Sequence, residues 1–108
     1  MKLLLSLFLL CSSYLLAAQS KDEKAILQML ETQNQAWNRG DVSGFMKGYW
    51  ENDSLMFIGK SGVTYGYQNT LENYKKGYPD TAAMGKLTTK QIKMIRVSKQ
   101  YYFIVGKW

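Results

Sequence analysis

The chain has 108 residues, of which 14 are basic and 8 acidic, with one cysteine and no histidine. This length predicts one small domain, a single cysteine excludes an internal disulfide, and the lack of histidine excludes a Ser-His-Asp triad. The net charge of +6 could suit an anionic partner. The lysines form no dense run, however, so we expect them to lie on solvated faces.

The first twenty residues have the pattern of a secretory signal. Lys2 precedes a run of apolar residues, and small residues at the end of the run suit cleavage after Ala18 or Ser20. A membrane anchor is the alternative, but a span needs about 20 apolar residues, and polar side chains interrupt this run. We therefore expect residues 1–20 to be a signal peptide, and residues 21–108 to be an exported domain, periplasmic or secreted, without cysteine.

Two helices are predicted next. Apolar residues recur at helical spacing as far as Trp37, which predicts an amphipathic helix of about 17 residues. Ser20 and Glu23 form a capping box at its start. Gly40 ends this helix because glycine tolerates the left-handed conformation, and Asp41 caps a short second helix at once.

A strand pair and a third helix follow. The continuous apolar stretch at residues 54–58 predicts a strand covered on both faces, and a glycine-rich turn leads into a short returning strand at residues 63–65. Aromatic and leucine side chains at helical spacing then predict a third helix, which Gly77 and Pro79 end. Its apolar face consists of Tyr67, Leu71, Tyr74 and Tyr78.

Two more strands are predicted at the end of the sequence. Residues 87–97 and 101–108 have the pattern of antiparallel partners, and apolar side chains on both sides of the second strand predict that both of its faces are covered. The alternation of the first strand slips near residues 93–95, which indicates a β-bulge. This order of elements predicts an α+β domain in which helices pack on an antiparallel sheet.

Several junctions between these elements resemble those of the SnoaL-like branch of the nuclear transport factor 2-like (NTF2-like) superfamily, which includes ketosteroid isomerases and polyketide cyclases. The matching blocks are residues 36–41 (Ala-Trp-Asn-Arg-Gly-Asp), 49–54, 63–66 and 74–80. The resemblance covers about residues 22–108 and implies a cone, in which a curved antiparallel sheet wraps around helices and leaves a deep pocket. Family members usually continue with two more strands, so the resemblance also implies a domain that is shortened at its C-terminus.

The residues give little support to catalysis. The resemblance to ketosteroid isomerase would require an aspartate base on the first strand, where this chain has Phe57 and Ile58, so proton abstraction lacks a positioned base. Glu51 and Asp53 alone are a weak metal signal, and we expect no metal and no cofactor. The enzymatic alternative is a cyclase- or isomerase-like activity on a small apolar substrate, with Tyr49 or Asp53 as the proton carrier.

Aromatic side chains are the remaining functional signal. Concave pockets that are lined by rings and a few hydroxyls suit small apolar or ring-shaped ligands, and the resemblance places many of the aromatic residues in segments that line the cone. Packing in the core is the alternative for each of them. The predicted pocket-lining residues are Trp37, Tyr49, Phe57, Tyr65, Tyr74 and Tyr78.

The leading hypothesis is an exported domain that binds a small apolar or aromatic ligand without established catalysis. The resemblance implies a homodimer formed through the sheet. The alternatives are the enzyme described above and a truncated fragment without a ligand. We expect no nucleic-acid partner for an exported protein, and no membrane association after the signal is removed.

Overall fold

The computed structural model describes residues 21–108. Its elements in chain order are α1 (21–38), α2 (Val42–Met46), β1 (Met56–Gly59), β2 (Gly62–Tyr65), α3 (Tyr67–Gly77), α4 (Thr81–Met84), β3 (Lys90–Arg96) and β4 (Tyr102–Lys107). The predicted α+β class with antiparallel strands is confirmed. The predicted signal peptide and the Ser20 cap lie outside the described residues. None of the described helices combines the length and the apolar composition that a membrane span requires.

The described strands form two separate hairpins. β1 pairs with β2 and β3 pairs with β4, both antiparallel. The predicted irregularity in β3 is present, and it lies between Gln91 and Lys93. β3 begins at Lys90, later than predicted, because the backbone N–H of Leu87 donates to a side chain of α1 and not to a neighbouring strand.

The junction between α1 and α2 has the predicted geometry. Gly40 has a φ of +83°, which glycine adopts without steric cost. The carboxylate of Asp41 accepts a hydrogen bond from the backbone N–H of Gly44 at 2.8 Å and forms an ion pair with Arg39 at 3.1 Å. The bond from Gly44, followed by the nearby guanidinium, lowers the pKa of Asp41. The predicted helix stop and helix cap are both confirmed.

The core lies where α1, α2 and α4 meet. Its buried apolar residues are Ala36, Trp37, Val42, Phe45, Met46 and Met84. Three residues of the face predicted for α3, namely Tyr67, Leu71 and Tyr74, are half-buried and pack against this core. The sequence pattern does not predict α4, which contributes Met84 and is capped by the side chain of Asp80.

Side chains of α1 hold the segment that follows α4. The indole Nε1 of Trp37 donates to the carbonyl oxygen of Met84 at 3.0 Å. The side-chain amide of Asn38 forms two hydrogen bonds with the backbone of Leu87: Nδ2 donates to the carbonyl at 2.9 Å, and Oδ1 accepts from the N–H at 2.6 Å. Asn38 therefore pairs with Leu87 much as a neighbouring strand would.

The chain is tied to α1 once more before β3 begins. The hydroxyl of Thr89 donates to Oδ1 of the buried Asn34 at 2.8 Å. Beyond that point, the hydroxyl of Tyr102 lies 3.5 Å from a carboxylate oxygen of Asp22, which is long for a hydrogen bond between two oxygens. The side-chain ties to α1 therefore weaken where the β3–β4 hairpin starts.

The prediction that two strands are covered on both faces is wrong for the described part of the chain. Met56 and Ile58 of β1 are 52% and 68% exposed, and Phe103 on β4 is 56% exposed. Each strand belongs to a two-stranded sheet, and no described element covers the faces that carry Met56, Ile58 and Phe103. An apolar run cannot distinguish a covered face from one that is left open.

Candidate functional site

Five of the six predicted pocket residues meet in one place, together with Phe45. We call this group the aromatic cluster; it consists of Trp37, Phe45, Tyr49, Phe57, Tyr74 and Tyr78. Phe45 was not predicted as a pocket residue. Its position four residues before Tyr49, at the spacing of one helical turn, is the sequence signal that could have identified it.

Tyr74 lies at the centre of the aromatic cluster. Its ring centroid lies between 5.4 and 6.3 Å from those of all five other rings. Most of these contacts are edge-to-face, which is a favoured geometry for aromatic pairs. Trp37 contacts Phe45 at 5.0 Å and Tyr78 at 4.9 Å. The indole N–H of Trp37 already donates to the Met84 carbonyl, and the side chain is buried, so Trp37 packs as a core residue behind the other rings.

The hydroxyl groups of Tyr49 and Tyr74 form a pair within the aromatic cluster. Their oxygens lie 3.0 Å apart, and both side chains are half-buried. Burial raises the pKa of Tyr49. Burial, followed by the hydrogen bond with Tyr49, also raises the pKa of Tyr74. Both groups are therefore neutral at physiological pH, and neither is suited to act as a base.

This hydroxyl pair has a hydrogen to donate. The two hydroxyls carry one hydrogen each, and one of these hydrogens occupies the bond between them. Among the described residues, the other hydrogen has no protein acceptor. The arrangement can therefore donate one hydrogen bond to a molecule that contacts the aromatic cluster.

Tyr65 lies apart from the other predicted pocket residues. In the β1–β2 hairpin, Phe57 is paired with Thr64, and Met56 is paired with Tyr65. Because side chains alternate between the faces of a strand, Tyr65 lies on the face opposite Phe57. It is 61% exposed there. The structure does not bring Tyr65 to the hydroxyl pair.

The acidic loop before β1 is an open surface. Glu51, Asn52 and Asp53 line a depression of about 210 Å³ together with two residues of α3. Oδ1 of Asn52 accepts a hydrogen bond from the N–H of Ser54 at 2.8 Å, a turn that leads the chain toward β1. Within residues 21–108, no three His, Cys, Asp or Glu side chains are grouped so that they could hold a metal ion. The two candidate proton carriers therefore differ in their exposure to solvent: Tyr49 is half-buried, and Asp53 is exposed.

A solved structure has the same fold and a related sequence. The chain is similar to an NTF2-like protein of unknown function from Shewanella oneidensis MR-1, with a TM-score of 0.74 and 38% identity, over 79% of this chain and 70% of that chain. This chain belongs to the NTF2-like superfamily. The resemblance of the junction blocks is thereby confirmed at the level of the superfamily, and the SnoaL-like branch stays a prediction.

Other comparisons add no chemistry to this NTF2-like domain. No family model matches the sequence, and no curated protein matches it. Because the similar NTF2-like protein is itself of unknown function, and because this kind of scaffold supports many activities, the function has to be argued from the residues of this chain.

Proposed function

We propose that this NTF2-like domain binds a small, neutral, largely apolar molecule that carries a hydrogen-bond acceptor, and that it does so without catalysing a reaction. The binding site is the part of the aromatic cluster around Tyr49 and Tyr74. The observation that supports this proposal best is the pair of half-buried hydroxyls, 3.0 Å apart and enclosed by rings.

The rings favour an apolar ligand. Aromatic side chains offer a large apolar area at low conformational cost, and they pack well against flat molecules. The exposed edge of the aromatic cluster includes Tyr78, which is 40% exposed. A ring-shaped ligand in contact with Tyr78 and Tyr74 would remove apolar surface from water, which favours binding by about 25 cal/mol for each Å².

The hydroxyl pair favours a neutral acceptor over an ion. Burial is the main reason why the pKa values of Tyr49 and Tyr74 are raised, and the same burial disfavours a charged ligand. A carbonyl or ether oxygen can accept the free hydroxyl hydrogen. A purely apolar analogue leaves that donor unpaired, at a cost of about 1–3 kcal/mol.

Binding can be tested with a matched pair of probes. We expect 2-acetylnaphthalene, which has a carbonyl acceptor, to quench the tryptophan fluorescence of the protein and to bind about tenfold more tightly than 2-ethylnaphthalene, the difference expected for one hydrogen bond. Because either hydroxyl alone still has a hydrogen to donate, only the double variant Tyr49→Phe/Tyr74→Phe should remove this preference. Tyr65→Phe is the matched control and should retain it. Equal affinities of the two probes for the wild-type protein would refute the role of the hydroxyl pair.

Export is a further part of the proposal. It is supported by the basic start, the apolar run and the small residues within residues 1–20. The intact mass of the protein recovered from the periplasm or the medium of an expressing bacterium tests it. We expect a chain that begins at residue 19 or 21. Recovery of the uncleaved chain in the cytoplasm would contradict export.

A homodimer formed through the sheet completes the proposal. An apolar face of the β3–β4 hairpin supports it, since Ile95 and Phe103 are paired on this face and are 42% and 56% exposed. Covering such a face stabilises a protein, because exposed apolar patches tend to be buried in interfaces. Light scattering combined with size-exclusion chromatography should give the mass of a dimer. A well-folded monomer at high concentration would contradict this part of the proposal.

A further inference from the structure

Four of the six rings in the aromatic cluster can lose an electron. Tryptophan and tyrosine are the side chains without sulfur that are oxidised most easily, whereas phenylalanine resists oxidation. The oxidisable members of the aromatic cluster are Trp37, Tyr49, Tyr74 and Tyr78. The aromatic cluster therefore offers a one-electron oxidant several neighbouring targets, which is chemistry that ligand binding does not use.

These four rings form a continuous series of contacts from the surface to the hydroxyl pair. Tyr78 is 40% exposed, and its ring centroid lies 4.9 Å from that of the buried Trp37 and 6.2 Å from that of Tyr74. The centroid of Tyr74 lies 5.7 Å from that of Trp37 and 6.3 Å from that of Tyr49. Because electrons pass readily between rings in van der Waals contact, oxidation of the exposed Tyr78 can be transferred to the half-buried pair.

Loss of a proton determines which of these rings carries the radical. An oxidised tryptophan or tyrosine is strongly acidic, and it is stabilised when its proton leaves. The indole N–H of Trp37 is buried and donates to the carbonyl oxygen of Met84 at 3.0 Å, so its proton is held in the core. Tyr49 and Tyr74 are half-buried, so their hydroxyl protons can reach water. Oxidation of the aromatic cluster therefore favours tyrosyl radicals over a radical on Trp37.

The hydroxyl pair holds two tyrosine rings in a position to couple. Two tyrosyl radicals combine at the ring carbons next to the carbon that carries the oxygen. The hydroxyl oxygens of Tyr49 and Tyr74 lie 3.0 Å apart, and within residues 21–108 no other two tyrosine hydroxyls are bonded to each other. The reactive edges of these two rings therefore lie side by side. Tyr49 lies in the turn after α2 and not in a helix, which leaves its ring able to approach Tyr74.

Other tyrosines are placed for coupling between molecules. Tyr65 and Tyr101 are 61% and 68% exposed, and neither pairs with another ring in the part of the chain that the structure describes. Groups that are held together in one molecule react at an effective concentration far above that of a dilute protein. Dilution therefore favours coupling of Tyr49 with Tyr74.

We propose that Tyr49 and Tyr74 form a dityrosine crosslink when the protein meets a one-electron oxidant. Each tyrosine gives one electron to the oxidant and its hydroxyl proton to water, and a carbon–carbon bond then forms between the rings. The hydrogens of the two bonded carbons move to the oxygens and restore both hydroxyls, so the net change is the loss of two electrons and two protons. The bond ties the turn after α2 to α3. It needs only the two rings, so the proposal does not rest on ligand binding.

The test oxidises the full-length purified protein at low concentration with ruthenium(III) tris-bipyridine, a one-electron oxidant that is generated by light. Trypsin then releases residues 48–60, which contain Tyr49, and residues 61–75, which contain Tyr65 and Tyr74. We expect mass spectrometry to find these two peptides joined, with a combined mass that is lower by two hydrogen atoms. Fragmentation should place the bond on Tyr74, and dityrosine fluorescence should appear in protein that is still monomeric by denaturing electrophoresis.

Conservative variants and unfolding test whether the folded geometry directs the reaction. Tyr49→Phe and Tyr74→Phe should each abolish the joined peptides, because each removes one of the two coupling rings. Tyr65→Phe and Tyr101→Phe are the matched controls and should retain the crosslink. Oxidation in concentrated urea should also abolish it, since unfolding separates the two rings.

Several results would overturn the proposal. One is a link between residues 61–75 and residues 77–86, which would assign coupling to Tyr74 and Tyr78. Others are crosslinks between molecules only, and oxygen added to Trp37 without any crosslink. An equal yield of the joined peptides in urea would show that the fold has no part in the reaction.

Discussion

Removing the Asn38 side chain should destabilise the fold more than any other single loss of a polar group on α1. Asn38 makes two hydrogen bonds to Leu87, at 2.9 and 2.6 Å, and both are half-buried. Each such bond contributes about 1 kcal/mol, and its loss leaves a backbone group of Leu87 partly unsatisfied. Alanine is the better helix former by about 0.6 kcal/mol, which offsets part of the loss. We expect Asn38→Ala to lower the free energy of unfolding by about 2 kcal/mol.

Urea denaturation followed by Trp fluorescence and circular dichroism measures this change. With an m-value of about 1–1.5 kcal/mol/M for a domain of this size, the midpoint should fall by about 1.3–2 M at an unchanged m. Asn73→Ala on α3 is the matched control. It gives the same gain in helix propensity but loses only an exposed hydrogen bond to Thr64 at 3.4 Å. A midpoint for Asn38→Ala within 0.3 M (about 0.4 kcal/mol) of the control would refute the anchoring role of Asn38.

Three further predictions follow from local geometry. The lowered pKa of Asp41 implies stability that is present above pH 4 and is lost as the pH falls below it. Asp41→Asn still caps α2 but cannot titrate, so it should flatten the acid limb of a stability–pH profile. An identical acid limb in the variant would contradict the assignment. Gly40→Ala should lower the free energy of unfolding by about 1–2 kcal/mol, because φ is +83° and the new Cβ would lie 2.7 Å from Cγ2 of Thr81. Thermal melts measure this change, and an unchanged melting temperature would count against it. The raised pKa values of Tyr49 and Tyr74 imply stability that is present below pH 10 and is lost above it. In a spectrophotometric titration, these two tyrosines should therefore ionise late. Tyr74→Phe should remove part of this late phase.

Features that depend on neighbouring residues could be predicted from the sequence. Gly40 and Asp41 are recognisable because a helix stop and a helix cap need those residue types at adjacent positions. The face of α3 is equally local, since helical spacing determines which side chains lie together. The location of the aromatic cluster required the family resemblance as well, because its rings come from α1, α2, β1 and α3.

Features that depend on distant partners could not be predicted. Asn38 has an unremarkable position at the end of a helix, and nothing in its surroundings indicates that it pairs with Leu87, 49 residues later. The exposure of β1 also depends on which elements cover it and not on its own apolar residues. The separation of Tyr65 from Phe57 was within reach, because a two-residue turn between β1 and β2 determines their register and therefore the faces of their side chains.

The ties between α1 and the later chain divide the domain into regions of different local stability. The last of these ties, between Asn34 and Thr89 at 2.8 Å, lies directly before β3 begins. Beyond it, the β3–β4 hairpin can open as one unit while the Trp37–Met84 contact stays closed, which is the behaviour of a separate foldon. Amide protons of the hairpin should therefore exchange with solvent sooner than those of α1.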